Sequence, residues 1–358
     1  MAKKRVLVAP LDWGLGHAAR SISVIQSLLQ RNAEVIIASN GRPLALLQKE
    51  FPQLEAIELP PYDVRYPTNN IYWNVATQIP QIVKAVALEN RIVADLVKKR
   101  ELNALISDHR LGCFNARVPS VIIAHQLHLK VEHAAIEKPV RRIHYSFFKQ
   151  FNTCWIPDWE QEADSLAGTL DHPPLSRPET KYIGPLSRIR YIEAPTRYDV
   201  FILLSGPEPQ RTRLENLLRD QAGQLPGNIL LVQGKTDQEK QIHQSGNLTI
   251  IPFLTSAELN QAFAESNLVV CRSGYSTLMD LAACRKKALL IPTPGQTEQE
   301  YLSDYLFEKG FFLSRSQDEV NLLLDIPEAL KFNGFPSLEA PNHLLEDAMD
   351  DLFRQMHA

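Results

Sequence analysis

Two glycines, a histidine and a predicted helix start follow the first apolar segment of the chain. Gly14 and Gly16, in the stretch from Pro10 to His17, allow the backbone to approach a ligand closely. Free N–H groups at the start of the next helix attract anions. An imidazole at this position tends to stay neutral, because the helix dipole disfavours its charged form. We therefore predict that His17 is a catalytic base, while a hydrogen bond to a loop carbonyl is the alternative role.

Other polar residues follow predicted strands of the same half of the chain. Asp108 and His109 come directly after one strand, and His125 comes directly after the next. Because the carboxyl ends of parallel strands meet at one sheet edge, these side chains are expected at the same edge as His17. The base can therefore be Asp108 or His109 in place of His17.

The second half carries a denser set of polar residues after one buried strand. Five of them lead into a helix: Arg272, Ser273, Gly274, Ser276 and Thr277. The serines are natural caps, and the exposed N–H groups beside them can cradle a diphosphate. Asp280 lies in the first turns of that helix, where a carboxylate accepts both hydroxyls of a ribose or serves as a partner of the helix dipole.

A second polar loop follows the next strand and also leads into a helix, over residues 292–300. Its side chains Gln299 and Glu300 are suited to hydrogen bonds with sugar hydroxyls, and Gln296 is a further candidate binding residue. On an isolated helix, Gln299 and Glu300 would be typical of a solvated surface. The two loops together could contact a diphosphate, a ribose and sugar hydroxyls.

Short apolar segments alternate with amphipathic ones along the chain, which indicates how these loops are positioned. In the first half we predict strands at 5–9, 34–38, 105–107 and 120–124, and helices at 18–30 and 72–99, with a break or kink near Pro80. In the second half we predict strands at 200–204, 228–232, 248–251, 267–271 and 288–291, and helices at 210–219, 256–264, 276–283 and 298–308. Buried strands separated by helices predict an α/β protein with two doubly wound parallel sheets.

The division into domains follows from prolines between the two halves. Pro173, Pro174, Pro178 and Pro185 punctuate a helix-poor stretch. We predict one domain over residues 1–184, a linker at 185–197 and a second domain over 198–335. A cleft between such domains is where the carboxyl ends of both sheets can face a ligand.

Composition excludes several classes of protein. The chain has 358 residues, 44% of them hydrophobic, with 38 Lys and Arg against 41 Asp and Glu. The resulting net charge of −3 lacks the basic excess of a nucleic-acid-binding protein, so no nucleic acid is expected as a partner. The longest apolar runs are far shorter than the roughly 20 residues that cross a bilayer. Without a secretory signal, we expect a cytoplasmic location. The 4 cysteines form no C-x-x-C pair, so no metal site is predicted.

The first glycine loop also permits a dinucleotide-binding interpretation. Residues 14–19 fit the pattern G-x-G-x-x-[GA], and Ser39 and Arg42 would suit the phosphate of NADP. However, several residues separate Val8 from Gly14, whereas the dinucleotide pattern turns directly after its strand. An NADP-dependent oxidoreductase would also leave both polar loops of the second half unexplained.

The order of features in the second half resembles GT-B glycosyltransferases, and most closely glycosyltransferase family 28, of the type that uses UDP-N-acetylglucosamine in peptidoglycan synthesis. The resemblance is strongest over residues 251–310 and covers Phe253, Leu254 and the two polar loops. It is weaker over 6–29 and 203–211. It implies the GT-B fold, with two Rossmann-like domains facing across a cleft.

The resemblance also implies roles for individual residues. The turn at 271–274 corresponds to the donor-site turn of the family, and Gln299 falls at its sugar-binding glutamine. Asp280 stands where the family has a glutamate for the uridine ribose, and the backbone of Leu254 would contact uracil. A C-terminal helix at 341–356 would pack back on the first domain.

One part of the family pattern is altered. Where the family has a glycine-rich turn, this chain has residues 205–211, which include Gly206 and Arg211. Two prolines in this segment remove N–H donors, which weakens the expected phosphate contact.

The implied reaction is the transfer of a sugar from a UDP-sugar to an acceptor hydroxyl with inversion. The implied donor is UDP-N-acetylglucosamine or the UDP derivative of a related hexose. The reaction would need no bound metal or other cofactor. Three alternatives remain: an epimerase or hydrolase that uses carboxylates such as Asp108 and Glu208, an NADP-dependent oxidoreductase, and a nucleotide-sugar-binding protein without turnover.

One segment of the sequence provides information about the acceptor. Residues 140–151 predict a helix with an apolar face and a basic face. Such a helix can lie on an anionic membrane, which would fit a lipid-linked acceptor and peripheral contact with the inner face of the membrane. The alternative is that the apolar face packs in the protein core.

Overall fold

The structure is a computed structural model that describes residues 3–62, 71–128, 142, 144–235, 239–336 and 343–356, without the side chains of 71–77 and 79. The chain forms two compact units. Unit 1 comprises residues 1–186 and 340–358, and unit 2 comprises residues 187–339.

Unit 1 is built on a parallel sheet of seven strands. The strands are β1 (Arg5–Pro10), β2 (Glu34–Ser39), β3 (Glu55–Glu58), β4 (Ala104–Asp108), β5 (Ser120–Ile123), β6 (Thr153–Ile156) and β7 (Glu179–Tyr182). Their order is β3-β2-β1-β4-β5-β6-β7. The helices before the second unit are α1 (Leu15–Gln30), α2 (Gly41–Glu50) and α3 (Ile71–Lys99).

Unit 2 repeats this plan with a second sheet of seven strands. The strands are β8 (Tyr198–Leu203), β9 (Ile229–Val232), β10 (His243–Ser245), β11 (Leu248–Ile251), β12 (Ser266–Cys271), β13 (Lys287–Leu290) and β14 (Leu313–Ser314). The order is β10-β11-β9-β8-β12-β13-β14, and β10 alone runs antiparallel among these described strands. The helices are α4 (Gln210–Ala222), α5 (Ser256–Ala264), α6 (Tyr275–Cys284), α7 (Thr297–Glu308) and α8 (Leu322–Ala329).

The last helix, α9 (His343–Gln355), belongs to unit 1. Arg31 at the end of α1 forms ion pairs with Glu346 and Asp350 of α9. Lys181 of β7 pairs with Asp351. The C-terminal helix is therefore anchored to both α1 and the edge strand β7.

All predicted strands form, with ends that differ by at most two residues from the prediction. Their apolar side chains explain this agreement, since the central strands are buried on both faces: Val6, Leu7, Val8 and Ala9 of β1 have no exposed surface. The strands missed from sequence are short: β3, β6 and β7 have four residues each, β10 has three and β14 has two. β7 lies inside the proline-punctuated stretch, so that stretch contains an edge strand of the first sheet.

The sequence predicted a break or kink near Pro80. Helix α3 is continuous through Pro80, so the break is wrong, and the kink stays a prediction. The helix α2 was not predicted, because Pro43 and few periodic apolar residues obscure its pattern.

The described part of segment 140–151 packs inside unit 1. Phe148 and Phe151 are buried in a core cluster with Leu127 and Ile156. The apolar face is therefore used by the core as far as it is described, whereas Val140, Arg141 and Ile143 lie outside the described residues. In the described part of the chain, no helix combines the length and apolar character needed to span a bilayer.

Candidate active site

The first group of polar side chains lies at the carboxyl edge of the sheet in unit 1. β1 pairs with β2 on one side and β4 on the other, so the strand order reverses between β1 and β4. Ligands bind α/β sheets outside the strand ends at such a point. Asp108 ends β4 opposite Pro10 of β1, and His17 lies in the first turn of α1, which follows Gly14 at a φ of 121°.

His17 and Asp108 are in direct contact. Nδ1 of His17 lies 2.9 Å from Oδ1 of Asp108. Arg20, one turn further along α1, donates from Nε to the second carboxylate oxygen over 2.6 Å, and its Nη2 contacts the first. The carboxylate and guanidinium are fully enclosed, whereas the His17 side chain keeps 17% of its surface exposed. The imidazole is the member of this group that a substrate can reach.

The Asp108 contact determines which ring nitrogen of His17 carries the proton. Burial alone would raise the pKa of Asp108, but the charges and hydrogen bonds of Arg20 and His17 outweigh it and hold that pKa well below its usual range. An ionised carboxylate only accepts hydrogen bonds. A contact of 2.9 Å therefore requires hydrogen on Nδ1, which leaves the lone pair on Nε2. Nη2 of Arg20, also 2.9 Å from Nδ1, then directs its hydrogens to Asp108.

The His17 imidazole is neutral for a different reason than the one expected from sequence. Burial lowers its pKa most, Asp108 opposes this effect, and Arg20 reinforces it. The helix dipole is not needed to explain the shift. A neutral imidazole with a free Nε2 is the form that takes a proton from a hydroxyl.

The two alternative bases are placed less favourably. Asp108 is fully buried and held by Arg20, so its carboxylate serves to orient His17. His109 adopts a φ of 63°, and its ring lies 6.0 Å from the ring of His17 and 5.9 Å from that of His144. Burial lowers the pKa of His109 well below its normal value, and Nδ1 has no hydrogen-bond partner among the described residues. Either residue as the base stays a prediction.

Sequence reasoning missed the importance of Arg20 and His125. Nη1 of Arg20 donates to Nδ1 of His125 over 2.8 Å, and both residues are buried. The sequence did contain a signal for Arg20: it follows His17 by three residues in a predicted helix, and this spacing places both side chains on one helix face. His125 was expected at this sheet edge, but without a role.

The second group lies in unit 2, in the loops that follow β8, β12 and β13. These strands are neighbours, and Leu203, Cys271 and Leu290 at their ends are in register. The order also reverses here, between β8 and β12, so these loops lie at the corresponding edge of the second sheet. Gly274 and Gln296 precede α6 and α7, and neither helix start has a side-chain cap.

Arg272 is the central side chain of this group and has no exposed surface. Nη1 donates to the carbonyls of Ile291 and Pro292, and Nη2 donates to the Gln210 carbonyl and, over 2.6 Å, to Oε1 of Gln317. In the described part of the chain its contacts are all to carbonyl and amide oxygens. Burial lowers the pKa of Arg272 to about 10, so the guanidinium stays charged at neutral pH. It joins three loops, and no carboxylate within the described residues forms an ion pair with it.

Ser273, Gln299 and Glu300 tie the two helix starts together. The Ser273 hydroxyl donates to the Gln299 carbonyl over 2.7 Å. Oε1 of Gln299 accepts from the Thr293 backbone over 2.9 Å, and Oε1 of Glu300 accepts from Gly295 over 2.8 Å. These contacts shape the loop after β13 and already engage Oε1 of both side chains. A sugar contact from Gln299 or Glu300 stays a prediction.

Thr293 is a residue that sequence reasoning missed. Its side chain is 3% exposed, and Oγ1 has no hydrogen-bond partner within the described residues. Oγ1 lies 3.7 Å from the position that a Cβ on Gly206 would occupy, and Gly206 has a φ of 106° that favours glycine. Oε1 of Gln296 is likewise buried without a partner among those residues. Polar atoms left unsatisfied in this way are rare in proteins and indicate a ligand or water.

Asp280 lies on α6 and faces the start of unit 2. The Ser187 hydroxyl donates to Oδ1 of Asp280 over 2.6 Å. Burial raises the pKa of Asp280 to about 6, although Arg188 and Ser187 act in the opposite direction. Ser276 and Thr277 lie in the first turn of the same helix. A ribose contact from Asp280 stays a prediction.

The remaining predicted donor residues are distributed between the units. Arg211 of α4 is buried, and its guanidinium pairs with Glu208 and Glu215 of unit 2. Phe253 and Leu254 follow β11 and are half-buried. Gly14 and Gly16 belong to unit 1 and lie at the start of α1, beside His17, and their contact with the donor stays a prediction.

Two features bear on the alternative functions. The Ser39 hydroxyl is buried and donates to the Pro10 carbonyl over 2.7 Å, so it is already engaged where an NADP phosphate contact was considered. Asp108 and Glu208, the carboxylates considered for an epimerase or hydrolase, are each paired with an arginine of their own unit. The described residues include no group of three or more His, Cys, Asp or Glu side chains arranged for a metal ion.

Comparisons with known proteins agree with this geometry. Residues 210–331 match the model of the glycosyltransferase family 28 C-terminal domain. An uncharacterized glycosyltransferase of Methanosarcina acetivorans is 23% identical over 324 residues, 86% of this chain and 84% of that protein. The UDP-N-acetylglucosamine--N-acetylmuramyl-(pentapeptide) pyrophosphoryl-undecaprenol N-acetylglucosamine transferase of Finegoldia magna is 27% identical over 172 residues, 42% of this chain and 44% of that enzyme.

A solved structure shows the fold. The crystal structure of MurG from Acinetobacter baumannii superimposes with a TM-score of 0.60 at 15% identity, and the match covers 99% of this chain and 100% of that one. The predicted fold class, two parallel-sheet α/β domains of the GT-B type, is confirmed. The resemblance to family 28 predicted from sequence is also confirmed.

Proposed function

We propose that this chain, a glycosyltransferase of the family 28 and GT-B type, transfers a sugar from a UDP-sugar to an acceptor hydroxyl with inversion at the anomeric carbon. Unit 2 binds the donor, and unit 1 supplies the base. The proposed donor is UDP-N-acetylglucosamine or the UDP derivative of a related hexose.

The observation that carries the proposal is the contact of 2.9 Å between His17 and Asp108. A transferase must remove a proton from its acceptor hydroxyl as the new bond forms, whereas a protein that only binds nucleotide sugars has no use for a base. Asp108 orients the ring and keeps hydrogen on Nδ1, so Nε2 accepts the proton. The hydroxyl oxygen attacks the anomeric carbon while the bond to the diphosphate breaks, and a single displacement of this kind inverts the configuration.

The donor diphosphate is assigned to the loops after β12 and β13. The starts of α6 and α7 direct N–H groups to this edge, and such groups stabilise anions. The buried charge of Arg272 has only carbonyl and amide contacts in the described chain, so a diphosphate nearby would compensate it. Stabilisation of the departing UDP by these groups would lower the barrier to transfer.

The uridine end of the donor is assigned to Asp280, Phe253 and Leu254. This part of the proposal is supported by the match of residues 210–331 to the family 28 C-terminal domain and by the position of Asp280 one turn beyond the start of α6. Thr293 and Gln296, with polar atoms that lack partners in the described structure, are the further candidates for contacts to the sugar or diphosphate.

Donor binding tests the first part of the proposal. We expect UDP to raise the melting temperature and to bind in calorimetry, with weaker binding of CMP, GDP and NADP. The absence of any binding by UDP or a UDP-sugar would reject the assignment of the donor.

The reaction is tested by turnover of a bound UDP-sugar with a set of acceptors, followed by mass spectrometry. Undecaprenyl-diphosphate-linked sugars belong in this set, because the Finegoldia magna enzyme, by its name, acts on an undecaprenol-linked acceptor. Soluble glycosides form the second arm. Proton NMR of the product identifies the anomeric configuration, and retention would contradict a single displacement. Binding of UDP-sugar without transfer to any acceptor or to water would favour a binding protein, and release of free sugar would favour a hydrolase.

A further inference from the structure

We infer that Arg20 is a positioning residue for the proposed transfer: it locks Asp108 in the orientation that accepts the Nδ1–H of His17 and keeps the imidazole from taking up a proton before substrate binds. The inference rests on the proposed role of His17 as the base.

The geometry of Arg20 is that of a fixed fork. Nε donates to Oδ2 of Asp108 over 2.6 Å while Nη2 contacts Oδ1, so both carboxylate oxygens are held by one planar group. Nη1 donates to His125 over 2.8 Å. Because arginine only donates, Nδ1 of His125 must carry a lone pair, and the histidine holds the far end of the fork. Arg20 is 1% exposed, so water does not compete for these contacts.

The charges around His17 explain why the fork is needed. Asp108 faces it from β4, Arg20 from its own helix, His125 from the segment after β5 and His109 from the residue after β4. Among these groups Asp108 is the one anion. Without the guanidinium, the buried Asp108–His17 pair would bind one additional proton, either as an imidazolium or as a carboxylic acid that donates to Nδ1. Both forms remove the lone pair from Nε2, so the base would be lost at neutral pH.

A lysine at this position would supply the charge but not the fork. Its ammonium group cannot bind both oxygens of Asp108 and His125 in one plane. The two functions of Arg20, neutralising Asp108 and orienting it, are therefore separable by substitution.

The experiment compares Arg20→Met and Arg20→Lys with Arg31→Met. Arg31 caps the C-terminus of the same helix and forms ion pairs with α9, so its loss tests general damage to α1. In Arg20→Met we expect the acid limb of the pH profile of kcat/KM to move to higher pH by about one unit or more. The reason is that removal of the neighbouring positive charge raises the pKa of His17 by about that amount. Arg20→Lys should keep the limb near its wild-type position while kcat falls, and Arg31→Met should change neither. An acid limb that does not move in Arg20→Met would overturn the inference.

A second measurement does not require turnover. In the full-length protein labelled with ¹⁵N-histidine, with His17→Gln used for assignment, the His17 ring should be neutral and protonated on Nδ1 at pH 7. Its titration midpoint should rise in Arg20→Met. If that variant does not fold, the wild-type spectrum alone decides, because a charged ring or an Nε2–H tautomer at pH 7 would overturn the inference. If the His17 midpoint rises in Arg20→Met but the wild-type protein transfers no sugar, the proposed function is rejected. The effect of Arg20 on the protonation of His17 is then still supported.

Discussion

The hydroxyl of Ser187 donates a hydrogen bond of 2.6 Å to the Asp280 carboxylate, so the segment that opens unit 2 is joined to the helix that follows β12. Asp280 is 7% exposed, and burial raises its pKa to about 6 because it disfavours the charged carboxylate. A ribose hydroxyl would take the place of Ser187 or share the carboxylate with it. Substitutions of Asp280 are therefore expected to change folding stability and, under the proposed function, donor binding.

Substitution of Asp280 tests its proposed role with the donor. Asp280→Ala should weaken UDP binding by about tenfold, since a hydrogen bond to a charged group contributes about 1.5 kcal/mol or more. In the wild type, UDP affinity should also decline below pH 6 as the carboxylate becomes protonated. Calorimetry between pH 5 and 8 measures both effects. Equal affinity of variant and wild type would reject the ribose contact.

The raised pKa of Asp280 predicts that the stability of the fold depends on pH. The pKa of Asp280 is higher in the folded chain than its ordinary value of 3.8, so the fold favours the protonated form. Stability from this group is present at low pH and is lost as the pH rises through about 6. Asp280→Asn should therefore raise the melting temperature at pH 7, and the gain should disappear near pH 4. A variant that is less stable than the wild type at pH 7 would contradict this sign.

Loss of the base should affect turnover and leave donor binding intact. His17→Ala is expected to lower kcat by about 10²–10⁴, the usual contribution of a general base. UDP affinity should stay at the wild-type value, because the proposed donor contacts lie in unit 2. The wild-type kcat/KM should remain constant down to about pH 6.5 and fall only below it, since burial lowers the pKa of His17. Full activity of His17→Ala would transfer the role to Asp108 or His109.

Thr293 offers a test of the unsatisfied hydroxyl. Thr293→Val preserves the shape and removes a buried oxygen that has no partner in the described structure, so the free protein should be as stable as the wild type or more stable. Donor affinity should fall by about fivefold to tenfold if Oγ1 contacts the donor, as one hydrogen bond contributes about 1 kcal/mol. Thr293→Ser keeps the hydroxyl and is the matched control. Donor binding by Thr293→Val that equals that of the wild type would exclude the contact.

Arg272 should be important for folding as well as for donor binding. Arg272→Met removes four hydrogen bonds to three loops and is expected to reduce the free energy of unfolding by about 3 kcal/mol, measured by urea denaturation. Arg213 on the exposed side of α4 is the control, and Arg213→Met should change that free energy by less than about 0.5 kcal/mol. Similar effects of the two substitutions would disprove the structural role of Arg272.

Much of the fold was predictable because its signals are local. Residues 6–9 and 268–271 are continuous apolar runs, and such runs form buried parallel strands when helices separate them. The short strands β3, β6 and β7 escaped detection, because they are half-polar or too short to show a pattern.

The candidate site was predictable to the extent that its residues follow strands. His17, Asp108 and Arg272 were found in this way, since each lies where a parallel sheet presents its carboxyl edge. The sequence could not assign individual hydrogen bonds. It did not show that Gln299 and Glu300 hold the backbone of Thr293 and Gly295, and their contact with a sugar stays a prediction.

The sequence by itself determined the α/β class, the two sheets and the loops that carry polar residues, because apolar periodicity and turn residues act over short stretches of chain. Only the tertiary structure decided that β4 pairs with β1, which brings Asp108 to His17 across a long separation in sequence. It also decided that Arg20 neutralises Asp108 and that Arg272 joins the loops of unit 2. Strand order and burial set these contacts, and both depend on how the whole sheet packs.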